Sequence, residues 1–192
     1  MGIINYRRAS SVDYSKIIEL QNKNLRNLNN HDDSSDGFLL TPFTIDQFKE
    51  MNSEIAVVVG INNETLCGYL CASKVDFNKK FPVLNALIEH LSEISFKRKP
   101  LNQYRLCISN PMCIDKDYRG TEMFFYLCKK ILDFIPLDYE VAVSIVSIKN
   151  KRSLAAIKKI NMHILGQVKL NNNAFWVIGA DLNEARNFFY RA

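Results

Sequence analysis

The sequence predicts an α/β domain built on a mixed, mostly antiparallel sheet with flanking helices. Three observations carry this. First, two pairs of apolar, β-rich runs flank short Asn-containing turns. "EIAVVVG" and "LCGYLCASKVDF" surround "INNET", and "HILGQVKL" and "AFWVIGADL" surround "NNN". Asparagine tolerates the left-handed region, so both pairs read as hairpins. Second, "YRLCISNPMCID" and "YEVAVSIVSI" each lead into a helical pattern, which calls for crossovers beside the hairpins. Third, no linker, repeat or low-complexity block interrupts the chain, so residues 1–192 read as a single domain.

The elements follow in order. "INYRRA" alternates and predicts a first strand. "SVDYSKIIELQNKNL" predicts a helix with Ile17, Ile18 and Leu20 in its apolar stripe and Ser11 or Asp13 as its cap. "NLNNHDDSSDG" is a polar loop, and "TIDQFKEM" a short helix capped by Thr44. The first hairpin comes next. Then Leu84, Leu87, Ile88, Leu91 and Ile94 fall at helical spacing over residues 81–96, with Pro82 in the first turn. This is an inserted helix between the third and fourth strands. The fourth strand carries Pro111, which implies a bulge or an edge. "GTEMFFYLCKKILDFI" predicts a helix with Phe124, Leu127, Cys128 and Ile131 on one face. After the strand "YEVAVSIVSI", Asn150 caps the helix "NKRSLAAIKKINM". The second hairpin and a short tail helix, "NEARNFFYRA", complete the order.

Composition narrows the function classes. A chain of 192 residues with 47% apolar content can bury roughly 70% of its unfolded surface in one core. The net charge of +5 suits an anionic small ligand and is too weak to argue for nucleic acid. The densest basic run, "FKRKPLNQYR", reads first as a solvated loop. Five cysteines, Cys67, Cys71, Cys107, Cys113 and Cys128, form no CxxC pair, and most sit in apolar runs. That predicts a reduced, cytoplasmic protein without disulfides. His31, His90 and His163 have no metal-ligand spacing, so no metal is expected. Neither a signal peptide nor a membrane span is legible, and no membrane partner is expected.

Two strand-to-helix joints, residues 114–124 and 146–153, carry the functional signal. A helix start offers unpaired N–H groups and about half a positive charge, which suits phosphate oxygens. In the first joint Arg119 adds a fork of donors, and Gly120 lets the backbone approach a ligand. An ordinary strand-to-helix turn explains these residues equally well. The two joints together with the element order resemble the GNAT superfamily of acyl-CoA-dependent N-acyltransferases. Its loop pattern, V-x-P-x-x-R-G-x-G-x-G/A-x-x-L, aligns with "IDKDYRGTEMFFYL", matching Ile114, Arg119, Gly120 and Leu127. Its later pattern, V-x-x-x-N-x-x-A-x-x-x-Y-x-x-x-G-F, aligns with "VSIKNKRSLAAIKKINM", matching Val146 and Asn150, with Ser153 small for small. Gly68 matches a frequent third-strand glycine. The departures are Glu122 and Phe124 at two small-residue positions, Ile157 where a tyrosine acid often stands, and Asn161-Met162 for Gly-Phe.

The resemblance implies a GNAT-like fold, with acetyl-CoA or CoA as co-substrate and an amine as acceptor. It places Met112, Cys113 and Ile114 along the pantetheine arm. Arg119, Gly120, Thr121, Glu122, Met123 and Phe124 fall around the pyrophosphate, and Asn150 and Ser153 at the second joint. The catalytic base and acid stay unassigned. Ser109, Asn110, Ser144, Ser147 and His163 are polar candidates whose structural roles are the better expectation. A Cys113–His163 pair and a reach of Glu89 or His90 toward the acceptor are weaker ones. A small-molecule or peptide acceptor would meet residues 22–42, 81–100 and 171–173. A homodimer through the last hairpin's edge is one further expectation. A non-catalytic acyl-CoA- or partner-binding module is the alternative. The lack of GxxxxGK[ST] and GxGxxG counts against a nucleotide-binding loop of either kind.

Overall fold

The structure, a computed structural model, describes residues 3–26, 38–160, 162–170 and 172–191. The chain runs β1 (Ile4–Arg8), α1 (Tyr14–Asn24), α2 (Ile45–Glu54), β2 (Ala56–Asn62), β3 (Thr65–Ala72), α3 (Val75–Asn78) and α4 (Pro82–Glu89). It continues through β4 (Ser95–Phe96), β5 (Lys99–Pro100), β6 (Leu106–Ile108), β7 (Met112–Ile114), α5 (Met123–Ile131) and β8 (Val141–Ser147). It ends with α6 (Lys151–Ile157), β9 (His163–Leu170), β10 (Asn173–Asp181) and α7 (Leu182–Arg191). The predicted polar loop at 27–37, with His31, and the positions Asn161 and Asn171 lie outside the described residues.

These elements form two compact units. The first is an antiparallel sheet in the order β1-β2-β3-β7, with α1, α2 and α5. Ala56 to Ile61 of β2 are all buried, because the strand is covered on both faces. Alternation along β3 shows how. Tyr69 meets Phe48 of α2 edge-on at 5.5 Å, whereas Gly68 faces Leu127 of α5. The hairpin expected at "INNET" is present, with Asn63 in the left-handed region at φ 54°. Thr44 caps α2 as expected, and Gln47 answers it in a reciprocal capping box. Asp13 precedes α1 but does not cap it. Its carboxylate is taken by both terminal nitrogens of Arg7 (2.6 and 2.8 Å) and by the N–H and hydroxyl of Ser10. Burial alone would raise the Asp13 pKa. The Arg7 and Ser10 contacts outweigh it and hold the carboxyl below its ordinary value.

The second unit holds a sheet in the order β6-β8-β10-β9, parallel only between β6 and β8. Two sequence expectations need correction here. The helix predicted over 81–96 ends at Glu89. His90 leaves helical geometry and its ring Nδ1 lies 2.7 Å from the Ala86 carbonyl. Leu91 and Ile94 are still buried, but on the turn and the irregular residue that follow, so the helical spacing extends past the helix. The basic run begins in a tight hairpin, β4–β5, whose turn residues Lys97 and Arg98 have φ of 46° and 67°, and goes on through a 3₁₀ turn at Leu101–Gln103. It is also largely neutralised. Lys97 pairs with Asp181 and Glu184, Arg105 pairs with Asp138, and Lys99 lies over the Tyr104 ring.

The predicted fourth strand is two strands in two sheets. β6 pairs with β8, β7 pairs with β3, and the chain leaves the first ladder at Ser109–Pro111. Pro111 donates no N–H, and its carbonyl accepts from Cys71. The apolar face of α5 also differs from the expectation. Met123, Leu127 and Ile131 are buried in a strict i, i+4, i+8 stripe, whereas Phe124 and Cys128 are half-buried at its margin.

Candidate active site

Within the first unit the candidate residues lie along β7, the following turn and the start of α5. The register pairs Tyr69 with Cys113, and the Asp115 N–H donates to Cys67 while the Cys71 N–H donates to Pro111. The backbone groups of residues 111, 113 and 115 therefore face β3. Those of Met112 and Ile114 alternate to the outer edge of this sheet. A single 3₁₀ turn, Lys116–Tyr118, follows, closed by Asp115 accepting from the Asp117 N–H at 3.0 Å.

Gly120 then turns the chain with φ 82°. A side chain there would meet no atom within 4 Å, so the turn is open and its glycine serves backbone geometry rather than packing. Thr121 fixes the next corner. Its hydroxyl donates to the Tyr118 carbonyl at 2.7 Å and accepts from the Met123 N–H at 3.2 Å. The first α5 bond runs from the Tyr126 N–H to the Glu122 carbonyl. The Glu122 and Phe124 amides precede it and have no carbonyl partner within the helix. The exposed Glu122 occupies the cap position, but its side chain makes no capping bond.

Two glycines set how closely α5 approaches the sheet. A Cβ on Gly68 would lie 3.1 Å from the Cys113 carbonyl and 3.3 Å from Leu127 Cδ1. One on Gly60 would lie 2.7 Å from Met123 Sδ. The two glycines are cross-strand partners in β2 and β3, a paired recess under the helix start. Gly68 was legible from its family position. Gly60 was not, because nothing local distinguishes it until the pairing is known.

Arg119 is engaged within the protein. Its Nε donates to the Ile114 carbonyl at 3.1 Å and its Nη2 to Asn24 Oδ1 at the end of α1. Cys113 is buried against the Leu20 carbonyl, and burial pushes its thiol up to about 12 despite the nearby Arg119. It stays protonated at neutral pH and is a poor nucleophile. Tyr6, tilted against Tyr126 at 5.3 Å, is likewise pushed up to about 12, first by burial and then by Tyr126, Cys67 and Glu122.

The second joint lies in the second unit. Asn150 is buried, and its Oδ1 accepts from the Ser153 N–H at 3.1 Å, so it is occupied as a cap. Ser147 accepts from the Lys149 N–H. Ile157 is buried, with 6% of its surface exposed, and belongs to the core. His163 is exposed near the Phe96 ring. His90, Nδ1 on the Ala86 carbonyl, ends α4, and Glu89 accepts from Asn85. All five cysteines are free. Among the described residues no cluster of His, Cys, Asp and Glu could hold a metal, and no helix is long and apolar enough to cross a membrane.

No protein-family model and no curated protein sequence matches this chain. Solved structures do. A GNAT-family acetyltransferase from Streptococcus pneumoniae superposes with a TM-score of 0.60 at 14% identity, over 93% of this chain and 99% of that one. The putative acetyltransferase yncA from Salmonella typhimurium, solved with acetyl-CoA, gives 0.59 at 14% identity over 94% and 95%. The ribosomal-protein-S18-alanine N-acetyltransferase of Escherichia coli gives 0.58 at 7% identity over 94% of each chain. Across almost its whole length, the chain has the fold of the GNAT acetyltransferases.

Proposed function

We propose that this chain is an acyl-CoA-dependent N-acyltransferase that moves an acetyl group from coenzyme A to the amine of a small molecule or peptide. The supporting observation is the open Gly120 turn leading into the start of α5, on a fold shared with N-acetyltransferases. Coenzyme A fits these groups. Amides at a helix start and a glycine free of contacts suit a pyrophosphate. The outward amides of Met112 and Ile114 suit the amide arm of pantetheine, read as an added strand.

The neutral amine nitrogen attacks the thioester carbonyl. A C–N bond forms, the C–S bond breaks, and the amine proton passes to a base or water. A β7 amide stabilises the developing oxyanion. The resemblance aligns its tyrosine acid with Ile157, which has no proton to give, so on this reading water or another group protonates the thiolate. The test mixes the protein with acetyl-CoA and a pool of amines and follows release of free thiol. Saturable, amine-dependent release is expected. No binding of acetyl-CoA at millimolar concentration would overturn the proposal.

A second reading, an acyl-CoA-binding module without turnover, is favoured by two observations. The exposed Glu122 stands at the helix start, and the resemblance aligns the buried Ile157 with the position of a tyrosine acid. Saturable binding without thiol release from any amine would establish it.

A further inference from the structure

We infer that Arg119 is a positioning residue for the phosphate turn, with Asn24 as its partner, and is not itself a ligand of the anion; the inference rests on the coenzyme A reading above. The Ile114 carbonyl is directed to the outer edge of β7, where no strand of this sheet can donate to it. Arg119 Nε supplies that donor at 3.1 Å, so the side chain folds back from the turn onto the strand end. Its Nη2 then reaches Asn24 Oδ1, 95 positions earlier in the sequence.

Asn24 is set to receive it. Its Nδ2 donates to the Leu20 carbonyl at 2.8 Å, which fixes the amide and presents Oδ1 to the guanidinium. Its backbone carbonyl accepts from the Leu39 N–H at 2.9 Å, while the Arg26 N–H donates to the Leu39 carbonyl at 2.9 Å. The guanidinium thus ties three places together: the end of β7, the turn before Gly120, and the end of α1 where residue 39 returns. Two donors of a planar fork held by oriented carbonyl groups make a geometric tie rather than a loosely held charge. Its effect is to hold the Gly120 turn so that the amides at the start of α5 converge.

Charge and geometry separate in the test. In Arg119→Gln the side-chain amide nitrogen sits at the same bond count as Arg Nε and can still donate to Ile114. In Arg119→Lys that position is a methylene, while the positive charge remains. Coenzyme A affinity is measured by calorimetry at about 10 mM and about 0.15 M salt. Arg119→Gln and Asn24→Leu, which each keep a donor on Ile114 and lose the Asn24 contact, should lose about three-fold, and Arg119→Lys about ten-fold, all with the wild-type salt dependence. The inference is overturned if Arg119→Lys binds better than Arg119→Gln, and if the Gln variant has a flattened salt dependence. The charge would then act directly on the anion.

A wild-type chain that takes up no coenzyme A overturns the coenzyme A reading instead. The tie is then read from thermal unfolding of Asn24→Leu, Arg119→Ala and the double variant. The double variant should lose little more than the larger single loss, whereas fully additive losses would overturn the tie.

Discussion

Replacing Glu122 by Gln should move stability and binding in opposite directions. Glu122 is exposed at the cap position of α5 and makes no capping bond, so in the free protein its carboxylate stabilises the helix through the dipole. That interaction is worth about 0.3–1 kcal/mol. Losing it should lower Tm by about 1–4 °C for a chain of this size. With a pyrophosphate on the same helix start, the carboxylate becomes repulsive. At ~6 Å in water each charge pair costs about 0.7 kcal/mol. Screening leaves about four-fifths of that at 10 mM salt and about half at 0.15 M. For one or two phosphate charges, Glu122→Gln should tighten coenzyme A binding about three- to seven-fold at 10 mM salt and about two- to three-fold at 0.15 M. Calorimetry at both salt concentrations, beside a thermal melt, reads all three quantities. Weaker binding, or a gain independent of salt, would show that the anion does not sit at the start of α5.

Gly68→Ala should destabilise by about 1–3 kcal/mol, because the new Cβ meets the Cys113 carbonyl at 3.1 Å and Leu127 at 3.3 Å. Gly166→Ala, 3.4 Å from Ile94, should cost little, and denaturant melts compare the two. Ile157→Tyr should not supply a missing acid. Ile157 is buried, so the larger side chain should cost about 1–3 kcal/mol, and a gain in thiol release without lost stability would contradict its place in the core. Asp13→Asn should destabilise by about 1–3 kcal/mol at neutral pH by weakening the Arg7 and Ser10 contacts. The folded pKa of Asp13 is depressed, so its contribution is present above the ordinary value of 3.8 and is lost as pH falls through the lower folded value. Melts of the two proteins should therefore converge only in the acid range below 3.8.

Local signals determined much of the architecture. Asn63 in the left-handed region, the Thr44–Gln47 box and the Asn150 cap are each settled by residues within a few positions of one another, so composition and spacing disclose them. The same holds for Gly120, where the chain turns sharply from strand to helix.

Tertiary structure decided whatever depends on a distant partner. The run of residues 104–115 reads as one strand, and only pairing with two different sheets divides it into β6 and β7. Residues 81–96 keep helical spacing because Leu91 and Ile94 are buried beyond the helix end, a coincidence of period that the chain alone does not expose. The positive φ of Lys97 and Arg98 carries no Gly or Asn signal. Gly60 gains its meaning only beneath Met123. That the Arg119 guanidinium lies on the Ile114 carbonyl and on Asn24, 95 positions away, shows only in the folded chain. Propensity and capping act over a few residues and are written in the local sequence. Side-chain partners separated by tens of residues are chosen by packing, and only the folded chain brings them together.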